Sequence, residues 1–165
     1  MKTLLLFFSL VNFSLTFAVE NRKLELVGEG EYTFFFMSVY HAKMWASNSS
    51  DLYNGDVKLE LKYNMNFEGK DIVKQTLKEF ISAGIDDELA KTWTNKLLPI
   101  FPDVTKGDRT VANYTKNDRI NFYLNDKKKL GTIKGHDFSK AFLNIWLGPN
   151  SSDQDLRNRL IGMEN

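Results

Sequence analysis

The stretch Leu130–Gly148, LGTIKGHDFSKAFLNIWLG, contains a predicted strand followed by the most apolar helix that the sequence predicts. Asp137 stands in the N-cap position, where a carboxylate can accept a hydrogen bond from a free backbone N–H. Gly148 and the proline after it predict the helix end, because glycine tolerates a left-handed backbone and proline cannot continue a helix. We predict a central helix lying on a sheet, since its apolar residues recur at three- and four-residue steps: Phe138, Ala141, Phe142 and Ile145.

Several other segments predict strands. Val57–Tyr63 alternates apolar and charged residues, as a half-buried antiparallel strand does. Residues 109–114 and 119–124 predict two further strands joined by a turn. Thr33–Val39, TFFFMSV, is a nearly continuous apolar run and predicts one strand covered on both faces. The glycines at positions 28 and 30 predict a bulge in the preceding strand.

Three more helices are predicted outside the opening stretch. Residues 71–83 have helical apolar spacing and end near Gly84, and Asp86 can cap the helix that follows. Ser152 and Asp155 fit a capping box for a short final helix. The elements follow one another as strands, two helices, three strands and two helices. Such runs predict an α+β domain in which an antiparallel sheet carries its helices on one face.

The first residues of the 165-residue chain, MKTLLLFFSLVNFSLTFA, are typical of a secretory signal peptide, because the apolar run is too short to span a bilayer. We predict a signal peptide at 1–18 and one domain at 19–165; the alternative is an uncleaved anchor. Cleavage would leave equal numbers of acidic and basic residues, which disfavours nucleic acid as a partner. We therefore expect an exported protein, periplasmic or secreted, with no stable membrane insertion after cleavage.

The sequence offers no motif for catalysis or metal binding. It contains no cysteine, which excludes disulfides, thiolate metal sites and a cysteine nucleophile. His41 and His136 are the only histidines, and neither belongs to a close cluster of histidines and carboxylates. No serine lies in a G-x-S-x-G elbow. We predict no catalytic residue, no metal site and no cofactor.

Aromatic and methionine side chains are concentrated along the predicted sheet. Such side chains line apolar ligand cavities, in which tyrosine hydroxyls orient a polar head group. An aromatic core filled against the helices is the alternative, and the residues alone favour it. The residues concerned are Tyr32, Phe34, Phe36, Met37, Tyr40, Tyr63, Met65 and Phe67.

Several segments together resemble the chalcone isomerase-like domain of bacterial exported proteins. They are LVGEG at 26–30 followed by FF at 35–36 and VY at 39–40, LELKY at 59–63, KGD at 106–108, GTIKGHDFSKAFLNIWLG at 131–148 and the ending at 156–162. The resemblance spans essentially the whole chain after residue 18. It implies an open-faced β-sandwich, in which a large antiparallel sheet is covered by a layer of helices. It also implies relatives that cyclise chalcones and relatives that bind fatty acids without catalysis.

The positions that carry function in the resembled family are not matched here. Where family members have an arginine that meets an anionic oxygen, this sequence has Tyr32. The positions of the plant enzyme's polar threonine and catalytic tyrosine are taken by Phe35 and Ile72, and that of its asparagine by Glu79. Cyclisation needs donors that polarise a ketone and stabilise a phenolate. The resemblance therefore implies no chalcone isomerase activity.

The first hypothesis is an exported, non-enzymatic protein that binds a small apolar or amphiphilic ligand, such as a fatty acid, between sheet and helices. Tyr32, Tyr40 and Tyr63 are predicted to make its polar contacts, and Phe36 and Met65 to line the cavity. An isomerase or lyase acting on an unknown substrate is the second hypothesis. The third is an envelope interaction module whose core is filled and holds no ligand.

Overall fold

A computed structural model describes residues 23–163. The predicted signal peptide and the first residues of the predicted domain lie outside the described residues. Within these residues, six antiparallel strands form one sheet in chain order. They are β1 (Glu25–Phe34), β2 (Met37–Ala46), β3 (Val57–Tyr63), β4 (Arg109–Thr115), β5 (Arg119–Leu124) and β6 (Lys128–Lys134).

Along the chain, helices α1 and α2 come between β3 and β4, and α3 and α4 follow β6. This arrangement is the predicted α+β fold, an open-faced sheet covered on one side by helices. The alternation in β3 shows why one face stays open, because Leu59 and Leu61 are buried while Lys62 is exposed. No helix of the described part is long and apolar enough to cross a membrane. The helical bounds are α1 (Gly69–Ser82), α2 (Asp87–Leu97), α3 (His136–Leu147), α4 (Gln154–Leu160) and a 3-10 turn at Leu52–Asn54.

One of the three N-cap residues that the sequence predicts is confirmed. Asp86 caps α2 as predicted, since its carboxylate accepts hydrogen bonds from the N–H groups of Glu88 and Leu89. The prediction for α3 was wrong: its cap is Gly135, at a φ of 131°, and Asp137 lies in the first turn. The α4 cap is Asp153 instead of Ser152, and its carboxylate accepts from the Leu156 N–H at 2.8 Å.

Helix α3 is central to the core, as predicted. Phe138 and Phe142 stack on each other and are both buried. Phe142 also packs edge-on against Phe122 of β5, and Phe138 packs edge-on against Trp93 of α2. Aromatic pairs in these geometries add about 0.5–1.5 kcal/mol each beyond simple burial. The helix ends at Gly148 with an extended backbone, not in the left-handed conformation that glycine there predicts.

The predicted single strand at Thr33–Val39 is wrong, because the chain reverses direction within it. Phe34 pairs with Met37, and Phe35 and Phe36 form the two-residue turn of the β1–β2 hairpin. Both turn residues have a positive φ, 44° and 64°, as the central residues of a type I′ turn do. Asparagine and glycine favour that conformation, and phenylalanine does not. The sequence therefore lacked the usual turn signal.

The glycines of β1 allow α4 to lie directly on the strand. The pairing of β1 with β2 shifts between Leu26 and Gly28, which is the predicted bulge. A Cβ atom on Gly28 would lie 1.9 Å from the backbone oxygen of Arg159, far inside any permitted contact. A Cβ on Gly30 would lie 2.9 Å from a methyl group of Leu156. Both glycines are needed for this close helix–strand packing.

Candidate functional site

A cavity of about 480 Å³ lies between the sheet and the helical layer. Its volume is within the range of about 300–1,000 Å³ that is usual for small-molecule sites. Apart from three tyrosines and Thr110, the sheet side is apolar, and Ala112 of β4 provides its smallest side chain. Phe34 and Met37 of the hairpin line the cavity and are each 53% exposed, so they form part of its rim. The other apolar lining residues include Leu59, Leu61, Ile72, Phe122, Phe142, Ile145 and Trp146.

Three tyrosines line the cavity, namely Tyr32, Tyr40 and Tyr63. The Tyr40 hydroxyl accepts a hydrogen bond from Trp146 Nε1 at 3.0 Å, and burial raises the pKa of Tyr40. The Tyr63 hydroxyl lies 3.2 Å from Thr110 Oγ1, and burial raises the pKa of Tyr63 to about 12. Tyr32 stacks on Tyr40 with ring centroids 5.1 Å apart. All three hydroxyls are therefore neutral near pH 7 and can donate to or accept from a ligand.

Polar groups also line the helical side of the cavity. Several already have partners within the fold: Thr76 donates to the Ile72 carbonyl at 2.9 Å, and Ser151 donates to the Ile145 carbonyl at 2.7 Å. The remaining polar lining residues come from α1 and from the segment before α4. They are Asp71, Gln75, Glu79, Ser152 and Asp153.

Four of the five predicted ligand-binding residues line this cavity, namely Tyr32, Tyr40, Tyr63 and Met65. Phe36 does not line it. The hairpin turn places Phe36 at the tip, where its side chain is fully exposed. Its predicted position in the cavity wall was wrong, because the segment reverses there instead of continuing as a strand. Binding by the other four stays a prediction.

Sequence reasoning missed the contribution of α3. Trp146 lies on the flank of the predicted apolar stripe, yet it lines the cavity and donates to Tyr40, 106 residues away in the chain. Its indole N–H was the available signal, since a buried tryptophan usually needs an acceptor. The cavity itself contradicts the alternative of a filled aromatic core.

The positions that correspond to functional residues of the plant enzyme do not form one site in the structure. Ile72 and Glu79 line the cavity, whereas Phe35 lies in the exposed hairpin turn. His41 lies 3.2 Å from Glu29, and His136 lies 2.8 Å from Asp118; neither histidine is in the lining. Within residues 23–163 no group of three histidine or carboxylate side chains could hold a metal ion.

Burial of Tyr63 predicts a loss of stability at alkaline pH. Its pKa is about 12 in the fold and 10.0 without it, so the unfolded chain loses the proton first. Stability is unaffected below pH 10 and falls as the pH rises from 10 towards 12, by roughly 2 kcal/mol from this group. Denaturant unfolding of Tyr63→Phe at several pH values should show a shallower decline than the wild type. Tyr123→Phe, whose side chain lies outside the cavity, is the control and should keep the wild-type decline.

Comparisons with known proteins agree with this architecture. A family model described as chalcone isomerase-like matches residues 8–162. An uncharacterized protein of Haemophilus influenzae is 31% identical over 142 residues, covering 82% of this chain and 67% of that protein. The crystal structure of a fatty-acid binding protein of Arabidopsis thaliana has a TM-score of 0.64 at 13% identity, covering 85% of this chain and 87% of that chain. At such low identity, the structural likeness shows a shared fold.

Proposed function

The chain belongs to the chalcone isomerase-like family, and from that premise we propose that it binds one small apolar or amphiphilic ligand without catalysing a reaction. The observation that carries this proposal is the cavity of about 480 Å³, whose walls are largely apolar and include three tyrosines. Apolar walls that enclose a few polar groups are characteristic of ligand sites. The fatty-acid binding protein that shares the fold supports a ligand with an alkyl chain.

The residues at the compared catalytic positions support binding over catalysis. Ile72 lines the cavity without a hydroxyl, and Phe35 lies outside it. Each buried tyrosine hydroxyl has its pKa held above the ordinary value, which makes proton loss at neutral pH harder. These groups suit the orientation of a bound ligand better than proton abstraction.

Export is part of the same proposal. The apolar run after Lys2 has the length and flanks of a signal peptide. We infer that the protein acts in the periplasm or outside the cell, where a carrier or sensor of an apolar molecule would meet its ligand directly. Amino-terminal sequencing of the secreted or periplasmic protein, with cleavage after residue 18, checks this part.

Tryptophan fluorescence tests binding at the cavity, because Trp146 is the one tryptophan among the described lining residues. A decanol brominated along its chain should quench fluorescence saturably, since bromine quenches only at close contact. Trp146→Phe keeps an aromatic ring there and should abolish the saturable quenching. Trp45→Phe, a matched substitution outside the lining, should leave it intact. Quenching that persists in Trp146→Phe would contradict binding at this site.

A further inference from the structure

We propose that the ligand's head group is uncharged or cationic, and that the cavity rejects carboxylate anions. This inference rests on the proposed function and specifies the chemistry of the ligand. It follows from the charges of the described lining: the three ionisable carboxylic acids there are Asp71, Glu79 and Asp153. The described lining contains no lysine, arginine or histidine.

The acidic groups come from two walls of the cavity. Asp71 and Glu79 belong to α1, and Asp153 immediately precedes α4. Their field reaches the tyrosines opposite. The pKa of Tyr32 is raised, first by burial and then by the negative charges of Glu79 and Asp153. Asp153 also contributes, after burial, to the raised pKa of Tyr40. A head group placed near these hydroxyls would therefore experience a negative potential.

Neutral groups are the hydrogen-bond partners of two of these carboxylates. Glu79 Oε1 accepts from the Gln75 side-chain amide at 2.8 Å, and Asp153 accepts from the Leu156 backbone N–H. These bonds hold the side chains in place and leave their charges unneutralised. No ion pair found within the described chain includes Asp71, Glu79 or Asp153.

The nearby cations of α1 lie outside the lining. Lys70, Lys74 and Lys78 are all exposed, and none of them lines the cavity. Lys70 is coupled electrostatically to Asp71, but its ammonium group pairs with Glu68. These lysines are in contact with solvent, where salt screens their charge. Asp71 is exposed and screened in the same way, so the half-buried Glu79 and Asp153 contribute most of the negative potential.

This excess of negative charge in the described lining determines which head groups the cavity favours. A carboxylate entering the cavity would lose water and meet like charges, and the described lining holds no cation to pair with it, which is unfavourable. An alcohol, a ketone or an amide needs only hydrogen bonds, which the tyrosine hydroxyls can make. An ammonium group would gain from the carboxylates, chiefly from Glu79 and Asp153. The site thus favours a neutral or positively charged amphiphile.

Three ligands that share one alkyl chain and differ in their head groups test the predicted head-group preference at pH 8. Decanol, decylammonium and decanoate compete for the site against the brominated decanol probe. We expect decanol and decylammonium to bind at least about tenfold more tightly than decanoate, a difference of about 1.4 kcal/mol. Decanoate binding as tightly as decanol would overturn the inference and leave the proposed function standing. Absence of binding by the whole series would overturn both.

Substitutions that change the charge of the lining test the same inference in a second way. Gln75→Lys adds a cation to the lining and should improve decanoate binding severalfold, while decanol binding changes little. Glu79→Gln removes one negative charge, keeps an acceptor for Gln75, and should narrow the difference between decanol and decanoate. Glu88→Gln, on the exposed surface of α2, is the matched control and should change neither. A head-group preference that is unchanged in both lining variants would overturn the electrostatic explanation.

Discussion

Ala112→Trp should weaken decanol binding by about a hundredfold, equivalent to nearly 3 kcal/mol, while the protein remains folded. Ala112 lines the sheet side of the cavity and is buried between the neighbouring strands. An indole ring at this position would occupy space that the alkyl chain needs. Because the cavity is empty space rather than packed core, most of the added volume can be accommodated. Titration against the brominated probe measures the loss, and thermal unfolding checks the fold.

The control for Ala112→Trp is the same substitution at an alanine outside the cavity lining. Ala141 of α3 is partly buried and does not line the cavity, so Ala141→Trp should retain wild-type affinity. Ala112→Leu should give an intermediate loss. Equal affinity in the wild type and a folded Ala112→Trp protein would place the ligand elsewhere.

The second large effect is a gain in stability. Replacing both turn residues, Phe35→Asn with Phe36→Gly, should raise the free energy of unfolding by about 1–2 kcal/mol. A left-handed backbone costs an L residue other than Asn or Gly about 1–2 kcal/mol, and two adjacent phenylalanines adopt it here. Part of the gain is lost with the edge-on contact between Phe34 and Phe35, whose centroids are 4.6 Å apart. Chemical denaturation of the two proteins measures the difference.

A double alanine variant separates backbone strain from side-chain contacts. Phe35→Ala with Phe36→Ala removes both rings but leaves residues that disfavour a positive φ, so it should gain little or nothing. If the Asn–Gly protein were less stable than the wild type, the exposed rings would have to contribute more to folding than the turn conformation costs. Phe35 is 78% exposed and Phe36 fully so, which argues against such a contribution.

The sequence predicted the fold where local signals agree with tertiary structure. Val57–Tyr63 alternates strictly, and β3 has those bounds. Asp86 precedes an amphipathic segment, and it caps α2 through two backbone N–H groups. Thr33–Val39 was misassigned because apolar character alone does not distinguish a buried strand from a hairpin tip. The turn residues there, Phe35 and Phe36, are ones that statistics place in strands.

The candidate site could be predicted only in part. Tyr32, Tyr40 and Tyr63 lie at corresponding places on three adjacent strands and share one wall of the cavity. The predicted single strand at Thr33–Val39 missed the chain reversal that brings Tyr32 beside Tyr40. The helical wall depends on how α1 and α3 rest on the sheet, which no local pattern specifies. For that reason the pairing of Trp146 with Tyr40 was not predicted, and Asp71 and Asp153 were not recognised as lining residues.

Native mass spectrometry of the protein, purified without detergent and then mixed with decanol, tests ligand binding in the cavity most directly. We predict one adduct per chain in the wild type, either a ligand retained from the cell or the added decanol, and no adduct in Ala112→Trp. Denaturation of the first sample should release the bound molecule for identification. A clean mass of the protein alone at saturating decanol would contradict binding, and the cavity would then have no role as a ligand site.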